Sequence, residues 1–189
     1  MKRKSFLASC LLLMSVAWSA TGFAQEKLEK IIVGVAGISG PLAHAFIPKD
    51  SGLYEKYGLD VDLVFFQGGS QLIQATIAGG VNFAVTAGPE IINGRLGGSD
   101  LIIIGGYMNT LPYSIVAAKD VTKFEQLKGG KAAISKYGTT SDLAMRYALE
   151  RNGLAPNKDV AIIQLGDQTT RFAGLTGGSV QATVISPPF

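Results

Sequence analysis

Residues 60–89 read DVDLVFFQGGSQLIQATIAGGVNFAVTAGP, and residues 159–188 read DVAIIQLGDQTTRFAGLTGGSVQATVISPP. Each opens on Asp-Val before an apolar run, passes a glutamine (Gln67, Gln164), turns, and enters a helical pattern. Each helix stops at a glycine pair (Gly79-Gly80, Gly177-Gly178), and a short apolar run then leads to a proline landmark (Gly88-Pro89, Pro187-Pro188). Upstream, Gly52-Leu53 matches Gly153-Leu154. The landmarks lie 97 to 101 residues apart, so the chain holds an internal repeat.

The segments around these stretches complete two units. In the first, Ile31 to Ala36 predicts a buried strand, and Leu42 to Tyr57 a helix that Pro48 and Gly52 kink or divide. Leu59 to Phe66 is a second strand, and Gln71 to Ala78 a helix with Ser70 suited to its N-cap. Asn82 to Thr86 is a third strand, followed by a helix opened by Gly88-Pro89. Leu101 to Gly106 and Tyr113 to Ala118 read as a fourth and fifth strand. Asp120 to Gly130 is a polar connector, taken as the border between lobes. The pattern then restarts with strands at 131–135, 159–165 and 180–185 and helices at 141–151 and 168–175. Strands alternating with helices imply mainly parallel sheets covered on both faces. The expected architecture is therefore α/β, with two Rossmann-like lobes: 25–119, and 120–189, the second incomplete. A half-built second sheet would leave an unpaired edge and uncovered apolar surface.

The N-terminus carries a different signal. Lys2, Arg3 and Lys4 precede an apolar run from Phe6 to Trp18, and small residues follow to Ala24. That is the layout of a secretory signal peptide over 1–24. Cys10, the only cysteine, begins the apolar run rather than ending it, so lipoprotein anchoring is not expected. The net charge of +3 resides in those three basic residues. The mature chain balances 14 basic against 14 acidic residues, which gives no reason to expect a nucleic-acid or anionic-membrane partner.

In open α/β sheets ligands sit beyond the carboxyl ends of the strands. The first lobe places Ser39, Gly40, Gly68, Gly69, Ser70, Thr86 and Ala87 there. The second places Gly138, Thr139, Thr140 and Ser186, with Tyr137, Asp167 and Gln168 nearby. Helix starts with free N–H groups suit a carboxylate, a sulfonate or a polar amide. Gly138-Thr139-Thr140-Ser141 stands out because three hydroxyls meet at one helix start. Taken singly, each of these residues reads first as an ordinary turn or cap; together, at matching positions on two lobes, they point to a cleft. Glu90, Asp142 and Asp167 start helices, where stabilising the dipole explains them. Tyr107, Tyr113 and His44 have packing roles at least as plausible as ligand contact. The only basic residue in these loops is Lys136. One histidine and no mature cysteine make no metal site, and neither a nucleotide loop nor a nucleophile elbow is present. No catalytic residue, metal or cofactor is expected.

Several motifs carry a family resemblance: Gly52-Leu-Tyr-Glu-Lys-Tyr-Gly-Leu-Asp-Val-Asp, Gln67-Gly-Gly-Ser, Ala78-Gly-Gly-Val-Asn-Phe-Ala, Leu127-Lys-Gly-Gly-Lys, Gly138-Thr-Thr-Ser and Val180-Gln-Ala-Thr-Val. With them the chain from Lys30 to Phe189 resembles the periplasmic substrate-binding proteins of ABC importers in the nitrate/sulfonate/taurine and thiamine-precursor group. The resemblance implies a type II periplasmic-binding-protein fold, a hinged interlobe cleft, a small-molecule ligand, a permease partner in the inner membrane and a monomer in the periplasm. It maps ligand contacts to Ser39, the Gly68–Ser70 turn, Thr86–Ala87 and Gly138–Thr140. It also implies a longer chain that returns to the first lobe, so this one reads as C-terminally truncated. The alternatives are an enzyme on the same fold, of the pyrimidine-precursor-synthesis type, and a ligand-sensing module for a membrane receptor.

Overall fold

The computed structural model describes residues 27–187. The expected leader, its cleavage point and Cys10 lie outside them.

The first unit runs β1 (Glu29–Val35), a 3-10 turn (Gly40–Leu42), α1 (Ala43–Asp50), α2 (Leu53–Lys56), β2 (Leu59–Phe65), α3 (Gly69–Ile77), β3 (Phe83–Val85) and α4 (Gly88–Leu96). The single helix expected over 42–57 is divided at Ser51-Gly52, where Gly52 takes φ +68. A left-handed backbone at that position favours glycine and ends α1. The three strands form a parallel sheet in the order β2-β1-β3. Gly34 lets α3 lie against β1, because a Cβ there would collide with the Leu72 side chain.

The second unit runs β5 (Lys131–Ile134), α5 (Thr140–Arg151), β6 (Ala161–Gln164), α6 (Gln168–Thr176) and β7 (Ala182–Ile185). Its parallel order, β6-β5-β7, repeats the first sheet strand for strand. The repeat read from the landmarks is thus a repeat of topology. β5 is covered on both faces: Ala132 and Ile134 join Met145 and Leu149 of α5 in one cluster, and Ala133 joins Leu175 and Val180 in another. Fully burying a side chain such as Ile134, Met145 or Leu149 contributes about 1.5–3 kcal/mol.

Two expectations for the middle of the chain are corrected. Residues 101–106 are not a strand. Ile102, Ile103 and Ile104 are 75%, 58% and 73% exposed. An apolar run becomes a strand only where a neighbour takes its N–H and C=O groups, and none lies beside this one among the described residues. The next strand, β4 (Ser114–Ala117), pairs antiparallel with β7. It belongs to the second sheet, so the chain has crossed between sheets before Asp120, the expected border. β4 makes the second sheet four-stranded, in the order β4-β7-β5-β6. Exposed apolar side chains are more frequent on the first lobe, but Leu143, Tyr147 and Phe172 of the second are exposed as well.

Candidate ligand-binding cleft

β1, β2 and β3 all end toward the second lobe, and β5, β6 and β7 end toward the first. Between them lies a cleft of about 370 Å³. Of the expected contacts, Ser39, Gly68, Gly69, Thr86, Ala87, Thr139, Thr140 and Ser186 line it. Tyr107, Tyr113, Asp167 and Gln168 line it too. Gly40, Ser70 and Gly138 do not; each ties the lobes together at its margin. The Gly40 N–H donates to Pro187 O (3.0 Å), Ser70 Oγ donates to Tyr137 O (3.1 Å), and Gly138 O accepts from Asn93 Nδ2 (3.0 Å). Ser70 is inside α3 rather than at its N-cap, which is Gly68 at φ +106. His44 lies outside the cleft, its ring 3.8 Å from that of Tyr107.

The three hydroxyls at the start of α5 are engaged by protein groups. Thr139 Oγ donates to Lys136 O (2.6 Å) and lies 3.0 Å from both Ser135 Oγ and Ser141 Oγ. Ser141 Oγ accepts from the Ser135 N–H (3.0 Å). Thr140 is held by Glu90 of α4, fifty residues away. Glu90 Oε1 accepts the Thr140 N–H (2.7 Å), and the Thr140 hydroxyl lies 2.8 Å from both carboxylate oxygens. Glu90 is only 6% exposed. Burial pushes its pKa up, opposed by the Thr140 bonds. Beside it, Thr86 Oγ is buried with no hydrogen-bond partner among the described residues. Gly69 has to be glycine here, since a Cβ would strike both Thr86 Oγ and the Glu90 side chain.

The opposite wall is set by α6. Asp167 caps it, accepting from the Thr170 N–H (2.9 Å). That bond holds the Asp167 carboxyl below its ordinary pKa. Gln168 is locked to Ser186: its Nε2 donates to Ser186 O (2.9 Å) and its Oε1 accepts the Ser186 N–H (2.8 Å). One turn on, Arg171 is 4% exposed and lines the cleft. It donates from Nη1 to Gly166 O (2.6 Å) and from Nη2 and Nε to Val184 O (3.0 and 3.3 Å). A guanidinium has five N–H donors, so two have no protein acceptor among the described residues. No carboxylate among them forms an ion pair with it. Burial pulls its pKa down, while the charges of Tyr113 and Asp167 act the other way. Tyr113 has a pKa raised by burial first and by the Glu90 charge second. A buried cation with no ion-pair partner in direct contact among the described residues favours an anionic group close to it.

The family model described as NMT1-like matches residues 24–189. The chain belongs to the NMT1-like family. This NMT1-like chain is 29% identical, over an alignment taking in all of it and 56% of the other, to a Brucella abortus (strain 2308) protein named provisionally as a binding protein. It thus spans about half the length of the curated relatives it matches. Among solved structures it is similar to the alkanesulfonate-binding protein SsuA of Xanthomonas axonopodis pv. citri, bound to MOPS, at TM-score 0.71 and 21% identity, covering 84% of this chain and 55% of that one. It is also similar to the periplasmic nitrate-binding protein NrtA of Synechocystis PCC 6803, at TM-score 0.66 and 20% identity, covering 86% and 48%. The NMT1-like chain therefore has the periplasmic-binding-protein fold, α/β with mainly parallel sheets.

Sequence reasoning on this NMT1-like chain passed over Arg171 and assigned Glu90 to its own helix. Arg171 had a legible signal. The buried stripe of α6 is Gln168, Arg171 and Leu175, at positions i, i+3 and i+7. Two polar residues on the inward stripe of an amphipathic helix need a partner. Glu90 had no such signal, because its partner belongs to the other lobe. Among the described residues no cluster of His, Cys, Asp or Glu suited to a metal ion is found.

Proposed function

We propose that this chain is the solute-binding component of an ABC importer. It is exported behind residues 1–24, acts in the periplasm as a monomer, and passes its ligand to a permease in the inner membrane. The ligand is a small organic anion or a polar small molecule, of the sulfonate, taurine, nitrate or pyrimidine-precursor type. The observation that carries this reading is Arg171: a buried guanidinium with free donors, facing a cleft at the strand ends of two lobes. Gly68 and the Gly166–Gln168 turn bring backbone close to the same space. The ligand lands on one lobe, and hinge rotation brings the other over it. Binding is the role this supports, since the cleft offers the Arg171 donors and approaching backbone to hold a ligand. The names of the relatives point the same way.

The test is a thermal melt of the protein against sulfonates, carboxylates, nitrate, pyrimidines and amides. A true ligand at a hundred times its dissociation constant adds ~2.7 kcal/mol of stability. Arg171→Met should abolish the response to that compound. A response that survives Arg171→Met would move the site elsewhere, and product formation from the bound compound would make the chain an enzyme.

A further inference from the structure

The start of α5 is built as an anion seat, and an anion already occupies it. The helix is twelve residues long, and its first N–H points at a carboxylate oxygen 2.7 Å away. A hydroxyl from the same residue closes on both oxygens of that carboxylate. The anion is the protein's own Glu90, reaching across from α4 of the first lobe. Two donors of the first turn of the facing helix, the N–H and the hydroxyl of Thr140, meet this buried carboxyl group. The adjacent Thr86 Oγ is buried and has no partner among the described residues.

We infer that Glu90 is a specificity-determining residue: it occupies the oxyanion seat of the second lobe, so a bound ligand's acidic group is excluded from α5 and directed to Arg171. Two consequences follow from the geometry. An oxyanion could enter the α5 seat only by displacing a buried carboxylate and its hydrogen bonds. The wall of the cleft around α4 therefore presents the Glu90 carboxyl oxygens, hydrogen-bond acceptors, to whatever binds. It favours ligand groups that donate, such as an amine, an amidine or an amide N–H. The inference rests on the cleft being the ligand site and adds which chemical group goes to which wall.

The experiment uses three small anions, methanesulfonate, nitrate and acetate, as probes, followed at the Thr140 amide by NMR and by titration calorimetry. Wild type should show no perturbation of Thr140. Glu90→Ala empties the seat and should gain affinity for acetate and methanesulfonate by about tenfold to a hundredfold, the worth of a charge-assisted hydrogen bond. Glu90→Gln removes the charge but keeps an oxygen on the Thr140 N–H, so it should show no comparable gain. If Glu90→Ala does not fold, Glu90→Asp, which withdraws the carboxylate by one methylene, should show a smaller gain at the same amide. Strong probe binding at Thr140 in wild type would overturn the inference. So would no gain in the folded variant, or an equal gain in Glu90→Gln, which would mean general charge repulsion instead of occupancy. A solute that raises the wild-type melt while no variant gains anion binding would sink the seat and leave the binding role standing. The opposite pair of results would do the reverse.

Discussion

β5 buries Ala132, Ala133 and Ile134 completely, whereas its counterpart β1 leaves Ile32 38% exposed. The two lobes have the same succession of elements and the same strand order, β2-β1-β3 against β6-β5-β7. They differ at one edge. β7 has β4 beyond it, and β3 has no strand beyond it among the described residues. On the second lobe the main core cluster takes in eleven buried residues, and on the first it takes in four. The added antiparallel strand brings Ile115 and Ala117 to the main core cluster and Val116 to the second. The lesson is that a βα repeat specifies strand order locally but depends on distant chain for its edges.

The largest effect should come from the covered lobe. Leu149→Ala removes a fully buried side chain of α5 and should cost about 2–5 kcal/mol in denaturant melts. The same truncation at Ile32 should cost roughly 1 kcal/mol, because that side chain already meets solvent. Equal losses would break the comparison. Next is Arg171→Leu. It leaves Gly166 O and Val184 O without their donors, at about 1–3 kcal/mol, measured by the same melts. A neutral result would mean that water replaces the guanidinium, and that the buried cation serves the ligand alone.

A third test compares matching helix starts. α6 has Asp167 as N-cap, with a side-chain bond, while its counterpart α3 has Gly68 as N-cap, with none. Asp167→Ala should cost about 1 kcal/mol at neutral pH. The sign of its pH dependence follows from the lowered pKa of Asp167. The unfolded state takes up the proton first as pH falls, so the contribution is present above the ordinary carboxylate pKa and disappears as pH drops through the folded value. Wild type and Asp167→Ala should therefore converge in acid. A gap that stays constant down to acid would remove the cap as its cause. The smallest effect belongs to the exposed seam. Ser70→Ala, which loses the bond to Tyr137 O, should cost only about 0.5 kcal/mol, read as a small shift in the melting midpoint. A much larger loss would mean that the two lobes unfold as one unit through that seam.

Much of this was legible along the chain. Apolar runs bounded by glycine placed β1, β2, β3, β5, β6 and β7 within a few residues, and the spacing of Gly79-Gly80 and Gly177-Gly178 marked the repeat. Eight of the expected contacts line the cleft: Ser39, Gly68, Gly69, Thr86, Ala87, Thr139, Thr140 and Ser186. Strand ends in such a sheet lead there whatever the ligand. The Leu101–Gly106 run misled because hydrophobicity records a tendency to be covered, and coverage depends on a neighbour. Ser114–Ala117 misled because an antiparallel strand and a parallel one of four residues look alike in sequence. Arg171 was within reach of a closer look at the α6 stripe.

The sequence by itself determined the repeat, the α/β class, the balanced charge of the chain after Ala24 and the loops that face the cleft. Each of these depends on residues close together in the chain, through periodicity, turn chemistry or composition. The tertiary structure alone decided that β4 joins the second sheet and that the α5 hydroxyls are already engaged. It also decided that Glu90 reaches Thr140 and that Arg171 is buried with no ion pair among the described residues. These are pairings between groups far apart in sequence. A carboxylate or guanidinium carries no local mark of its partner, and only folding sets the distances on which its electrostatics depend.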